Sequence, residues 1–493
     1  MLRRPGYAAV VMMTLGLGIG ATTTIYSVVD AMLIRALPYR DAERLVVIGN
    51  TVQGQERADG REGLQQLETM SYANLADLRT RVNGLEDVAA LERGGWMAQS
   101  EGNPPEILEV ANVTEGFFEL LSVKPQLGRV PVPEDYGGTG RGRGSWGALI
   151  SYEGWQRRFG GDSTVVGKTV NLGAMFTIVG VLPRDFYQPA ALVGSDVEFW
   201  IHLDPADRRY QDRLRRNLHV VARLEPRVTL ADVRAELSAA QVQLVRDEPA
   251  ANVARDGRPL GAGVNSLRDE TIGSAARPML IFLGAAVLLL VLASSNAANL
   301  ILVRGLERSP ELALRRAIGA SRTRVVANLV LESASLALAA GAIGVGIAVA
   351  GVAIFRRVGP ASLPRLDEVG VNPRVVLAGA LLSLVVGIVI GIVPALRSSG
   401  ADLLNNLRSS RHTVSFKGAR FRIALAATQL ALAVVLGIAA SLLFRSFVEI
   451  RTQELGFKPA NLVAFVLPFK KERPWEVWDR ALEALRAIPG TRS

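Results

Sequence analysis

Eight residues of this chain come close to a phosphate-binding loop. Asp162 to Thr169 reads DSTVVGKT, one position away from the G-x-x-x-x-G-K-[ST] pattern, in which backbone N–H groups line an anion nest and the lysine reaches the terminal phosphates. The departure is at the first position, where Asp162 sets a carboxylate where phosphate would lie. The following residues, TVNLGAMFTIVGVLP, alternate like two strands around Leu172, Gly173 and Ala174, whereas a phosphate loop must open a helix. The segment therefore predicts a β-hairpin and no nucleotide site. Other chemistry is as poorly supplied. The chain has no cysteine, which removes thiol nucleophiles, Cys-type zinc sites and disulfides together. Its three histidines, His202, His219 and His412, lie far apart, and neither H-E-x-x-H, G-x-S-x-G nor calcium-loop spacing of acids occurs. The expectation is no catalytic residue, no cofactor and no metal ligand.

Two further groups of residues are candidates for binding. His202 and His219 flank Arg208, Arg209, Arg213, Arg215 and Arg216, a set that could meet an acidic partner or lipid headgroups but reads first as a solvated helix face. Trp96, Trp146, Trp155 and Trp200 read as core or domain-edge aromatics rather than a ligand cage. No basic patch with interleaved aromatics is present, so the sequence predicts no nucleic-acid partner.

The elements that position these residues belong to a membrane protein. Of 493 residues 49% are hydrophobic, only 6% are aromatic and 48 are glycine, a mixture suited to close helix contact in lipid. Five blocks approach or exceed the roughly 20 apolar residues that cross about 30 Å of hydrocarbon. They place transmembrane helices at 5–29, 278–303, 325–355, 375–396 and 423–444. A cleaved signal peptide is the alternative for the first, but its apolar block is too long for one. The expected fold class is a polytopic α-helical membrane protein with a large α+β extracytoplasmic domain, residues 30–277, between the first and second spans. Leu45–Ile48 and Gly147–Ser151 are strand candidates there. Ser71–Arg81 and Ala231–Val245 show helical spacing, and the glycine-rich run 137–147 reads as a loop.

Charge sets the orientation. Residues 30–277 carry 29 basic and 34 acidic side chains, although the whole chain is +10. The positive excess therefore flanks the spans. Arg304, Arg308, Arg315, Arg316, Arg322 and Arg324 lie between the second and third, and Arg397, Arg408, Arg411, Lys417, Arg420 and Arg422 between the fourth and fifth. The positive-inside rule makes the loop 304–324 and the linker 397–422 cytoplasmic, with a cytoplasmic N-terminus.

The loop carries helix punctuation. Ser309 can cap a helix that begins at Pro310; Glu311 suits its positive end, Arg315 and Arg316 its negative end, and Gly319 stops it. A second start at Ser321 leads through Glu332, expected at the interface, into the third span without a break. Such a helix could be pushed by a partner and pass the displacement into the membrane, or its arginines could hold anionic lipid headgroups. Physics alone leaves both readings open.

Three separated segments, in order, resemble the FtsX-like permease family with its MacB-like periplasmic core. They are LRRPGYAAVVMMTLGLGIGATTTIYSVVDAMLIRALPYRDAERLVVI, the hairpin VVGKTVNLGAMFTIVGVLP, and ERSPELALRRAIGASRTRVVANLVLES. The resemblance implies a separate ATP-binding ABC subunit docking at the cytoplasmic face on a coupling helix, here Pro310, Glu311, Leu312, Arg315, Arg316, Ile318 and Gly319. ATPase activity would reside in that partner, and this chain would be no enzyme. Membrane lipid and a periplasmic protein are further expected partners, and the inner (plasma) membrane the expected location. The implied work is export or extraction of a hydrophobic or peptide-like substrate; the alternative is a regulator that activates a cell-wall enzyme or scaffolds an envelope complex. A membrane-anchored enzyme, a third class, rests only on the failed phosphate-loop match.

FRIALAATQLALAVVLGIAASLLF and the residues after it parallel the opening unit. This resembles the duplicated orphan permease subgroup, with a second unit beginning near residue 418 and a second periplasmic domain at 445–493. That domain is expected to be incomplete, and the N-terminus close before the first span likewise reads as a truncation.

Overall fold

A computed structural model describes residues 5–52, 64–98, 106–135, 146–188, 192, 194, 197–273, 276–307, 318, 321–359, 365–398, 416–452 and 474–486. Five of its helices are long and apolar enough to cross a membrane. The first span, Pro5–Val29, continues into a π-helical turn, Asp30–Ile34. The second is Ala276–Glu307, the third Arg322–Val358, the fourth Pro373–Ser398 and the fifth Phe416–Thr452. At about 1.5 Å per residue the third span is about 55 Å long, well beyond the hydrocarbon.

Small residues let these helices approach. A Cβ added to Gly20 would lie 2.7 Å from Ile347 Cβ, and one added to Gly387 would lie 2.8 Å from Ala334 Cα. The first and fourth spans thus press glycines onto the third from two sides, as expected where lipid supplies no hydrophobic drive between helices. Val11, Leu15 and Ile19 fill the centre with Leu290, Ala297, Ala337, Ala340 and Ile390. The fifth span lies along the second, where Gln429 Nε2 donates to Ser295 Oγ at 3.1 Å. Its Leu430, Ile438, Leu442 and Phe444 are exposed.

Between the first and second spans the described residues build one ten-stranded sheet. The strands are β1 (Leu45–Val52), β2 (Leu85–Ala98), β3 (Glu106–Val113), β4 (Leu127–Gly128), β5 (Trp146–Ile150), β6 (Thr169–Asn171), β7 (Met175–Val181), β8 (Phe199–His202), β9 (His219–Leu224) and β10 (Leu260–Ser266). Their order is β10-β1-β9-β2-β3-β8-β5-β7-β4, with β6 paired to β7. The β3–β8 and β5–β7 pairs are parallel and the others antiparallel.

Both faces of this sheet are covered, which explains its unbroken apolar runs. Successive side chains of β1 alternate: Leu45 and Val47 join a core with Leu91, Val113, Phe117 and Trp200. Val46 and Ile48 enter another with Leu75, Leu78, Leu237 and Leu244. The helices that supply those leucines are capped as their sequences require. Ser71 accepts from Asn74 N–H ahead of Tyr72–Arg81, and Thr229 forms a capping box with Asp232 ahead of Leu230–Asp247. A third core, around Phe176 and Ile178, includes Trp155. Trp200 stacks on Phe117 at 5.8 Å, and Trp96 and Trp146 flank Phe176, so these four of the six tryptophans serve packing.

β6 and β7 form the expected hairpin, with Asn171 opposite Met175. Asp162 takes the groups a phosphate would need: its carboxylate accepts from Lys168 Nζ at 2.6 Å and from Thr164 N–H at 2.8 Å. The arginine-rich stretch differs from its reading as a solvated helix face. Only Arg208–Gln211 is helical. Arg213 donates to Asp77 at 2.7 Å and Asn74 at 2.9 Å, and Arg216 to the Ala251 and Val253 carbonyls at 2.9 and 2.7 Å. These guanidiniums tie their loop to the helix Tyr72–Arg81 and to the loop at Ala251–Val253. The run 136–145 lies outside the described residues.

Candidate transmission path between spans and domain

Of the residues expected to couple to a partner, Pro310, Glu311, Leu312, Arg315, Arg316 and Gly319 lie outside the described residues; Ile318 is exposed. The two feet of their loop are described. At one, Arg304 of the second span reaches Glu332 of the third, N···O 3.9 Å, while its guanidinium lies 4.5 Å above the ring of Tyr7 in the first. At the other, Ser321 Oγ accepts from Arg324 N–H at 3.3 Å and starts the third span. Glu332 thus sits in a polar patch shared by three spans, about 17 Å along the helix from Ser321.

A second polar cluster closes the other end of the bundle. Tyr7 and Asp30 are separated by about 35 Å of helix, close to the thickness of a bilayer core. Asp30 is buried; its carboxylate faces Arg35 Nη2 at 3.4 Å and Asn372 Nδ2 at 3.3 Å. Asn372 also caps the fourth span by accepting from Val375 N–H at 2.9 Å. Ser27 donates to the Gly370 carbonyl at 2.8 Å.

Arg365 is the centre of this cluster. It lies in the short segment between the third and fourth spans with φ +58°, a left-handed conformation that non-glycine residues adopt only where surroundings over-determine it. Its guanidinium donates to the carbonyls of Arg35 at 2.7 Å and Ala36 at 3.2 Å. Glu368 receives Nε at 3.0 Å and Nη2 at 2.7 Å, a bidentate pair. The cation also lies 5.8 Å from the ring of Tyr187 in the domain. Tyr39 donates to the Tyr187 carbonyl at 2.7 Å. Burial pushes the Tyr187 phenol up to about 12, opposed by Arg365, and raises Tyr39 as well. Beneath lies an apolar pad of Val28, Val29, Ala31, Met32, Met279, Val352 and Val369.

The sheet meets this cluster through neighbouring strands. β1, which follows the first span, pairs with β10, which precedes the second, from Val46 opposite Ser266 to Val52 opposite Leu260. Arg268, just past β10, donates to the Leu33 carbonyl at 2.6 Å. The first and second spans therefore connect to the sheet at one two-stranded root. Sequence reasoning missed this cluster. The available signal was that Asp30, Arg35, Arg365 and Glu368 all lie just beyond the ends of apolar blocks on the domain side. Among the described residues no three His, Asp or Glu side chains are grouped to hold a metal ion. The arrangement offers mechanical linkage.

Residues 8–240 match the family model of the MacB-like periplasmic core domain, and residues 283–403 that of the FtsX-like permease C-terminal region. An uncharacterized ABC transporter permease of Bacillus subtilis, YknZ, is 30% identical over 138 residues, 28% of this chain and 33% of that protein. The macrolide export ATP-binding/permease protein MacB of Escherichia coli K12 is 30% identical over 139 residues, 28% of this chain and 21% of MacB. The matched stretch thus spans a third or less of these curated relatives. Among solved structures, the periplasmic region of MacB from Actinobacillus actinomycetemcomitans is similar at 12% identity and TM-score 0.32, covering 49% of this chain and 93% of that one.

Proposed function

The chain belongs to the FtsX-like permeases that carry a MacB-like periplasmic core domain, and from that premise we propose that it is the permease subunit of an ABC-type transporter. A separate ATP-binding subunit docks on the coupling loop, around Pro310 to Gly319, and its ATP-driven motion passes through the spans to the domain. The observation that carries this reading is continuity: the third span, capped by Ser321 at the loop, is one helix Arg322–Val358, and the next described segment holds Arg365 against the strap leading into the domain. The proposed orientation places N-terminus and loop in the cytoplasm and the domain in the periplasm, in an inner-membrane protein. Domain limits follow the spans, with residues 30–277 as the periplasmic unit and a second unit beginning near residue 418.

Affinity capture from detergent-solubilised native membranes, with mass spectrometry and an ATPase assay of the eluate, tests the proposal. An ATP-binding subunit should be recovered. Reversing the charge of Arg315 and Arg316 should weaken that association at least about tenfold, with membrane insertion unchanged; unchanged association would refute the docking site. The work is proposed as export or extraction of a hydrophobic or peptide-like substrate. A second reading, activation of a periplasmic cell-wall enzyme, is favoured by the apolar seam filling the bundle between first and third spans, which suits a lever. Copurification of a periplasmic hydrolase would support it, whereas substrate accumulation on deletion would support transport.

A further inference from the structure

We propose that Arg365 and Glu368 form a releasable latch, with Arg365 the positioning residue that holds residues 365–372, ahead of the fourth span, onto the strap entering the domain. The inference rests on the reading that motion passes from spans to domain, and names the contact that gates it.

Three features of the cluster separate a latch from ordinary packing. First, it joins parts of the chain that share no element. Arg365 reaches the backbone of residues 35 and 36, 330 and 329 positions away, and the ring of Tyr187. Ser27–Gly370 and Asn372–Asp30 also tie this segment to the first span, and Arg365 extends the tie to the strap and to the ring of Tyr187 in the domain. Second, its grip is polar and directional. Arg365 has 3% of its side chain exposed and spends its donors on two carbonyls and one carboxylate. Such contacts break as a set once the carbonyls shift, because hydrogen bonds weaken steeply with distance and angle. Third, the carboxylate is shared. Glu368 also faces Arg35 Nη1 at 3.5 Å, and Arg35 in turn faces Asp30 at 3.4 Å. Arg35 and Glu368 keep 31% and 28% of their side chains exposed, so water can solvate both when the contact opens. Release of Arg365 therefore leaves the Glu368 carboxylate both hydrated and still facing Arg35, one condition for a polar contact that must open repeatedly.

The next residue supplies the reporter. Val369 is fully buried against Val28, Val29, Ala31 and Met32, so a thiol there is reached only when the segment lifts. The chain has no native cysteine, which makes Val369→Cys the single labelling site. Its modification by a membrane-impermeant maleimide should be slow in the purified full chain. Adding Arg365→Ala should speed it about tenfold or more, as expected when charge-assisted hydrogen bonds no longer hold the closed form. Glu368→Gln, which keeps shape and removes only charge, should speed it by a smaller factor. A rate unchanged within about twofold on Arg365→Ala overturns the latch.

A second measurement separates a latch from a merely structural contact. With a captured ATP-binding subunit and a nonhydrolysable ATP analogue, labelling of Val369→Cys should change. With Arg365→Ala present it should be fast and indifferent to nucleotide, although the subunit still binds. Nucleotide dependence that survives Arg365→Ala also overturns the proposal. Failure to capture any ATP-binding subunit would instead remove the transporter reading, and the first measurement would still decide the latch.

Discussion

Asn74 shows how tightly single side chains are placed in the domain. It is fully buried on a short helix, donates to Asn252 Oδ1 at 2.7 Å and accepts from Arg213 Nη1 at 2.9 Å. Asn74→Ala should cost about 2 kcal/mol, because it strands buried polar partners as well as losing a bond; thermal unfolding of the purified chain would measure it. His202 makes a different prediction. Burial lowers its imidazole to about 4, with Asp204 opposing the shift, so protonation favours the unfolded chain. The stabilising contribution is complete above about pH 6.5 and is lost as pH falls through the window down to about 4. The melting temperature should fall across that window, and His202→Gln should flatten the fall; an unaltered profile would refute the assignment. Neither role was legible in the residues alone. The sequence marks His202 as one of three scattered histidines but not as buried, and it reads Arg213 and Arg216 as solvated because a charge run carries no trace of which carbonyls lie opposite.

At the scale of elements, the spans and several domain elements were legible. Hydropathy located five long helices, and the strand and helix candidates in the domain correspond to β1, β5, Tyr72–Arg81 and Leu230–Asp247. These features are local: residue period, cap and apolar length are all contained in a dozen or so neighbours. What the sequence left out was which helices touch. The third span is flanked by the first and fourth through Gly20 and Gly387, and glycine in an apolar block does not reveal its partner. Gly387→Leu should drive side-chain atoms into Ala334 and Ala337 and cost about 2 kcal/mol or more. Loss of thermal stability in detergent would show this, and Gly284→Leu, where nothing lies within 4 Å, should be tolerated.

For the whole molecule the organising fact is that the domain is an insertion between the first and second spans whose entering and leaving strands are paired. Spans and sheet thereby share one root, and the clasp around Arg365 fastens the opposite side of the bundle to it. The orientation proposed here can be checked in the cysteine-free chain. A single cysteine at Val132, exposed on the domain, should react with impermeant maleimide in cells whose outer membrane is opened. One at Ser321 should react only after the inner membrane is breached, and the reverse pattern would invert the topology.

The sequence by itself determined that this chain crosses the membrane repeatedly and carries a mixed domain between its first two spans, because hydrocarbon thickness and backbone periodicity impose constraints satisfied within contiguous segments. Its family resemblance was carried by three short segments for the same reason. Only the tertiary structure decided the strand order, the glycine seams and the clasp. Asp30, Arg35, Tyr187, Arg365 and Glu368 lie as much as 338 positions apart in sequence. Each is individually an unremarkable charge or aromatic near a boundary, and their meaning comes from the long-range packing that encloses them together.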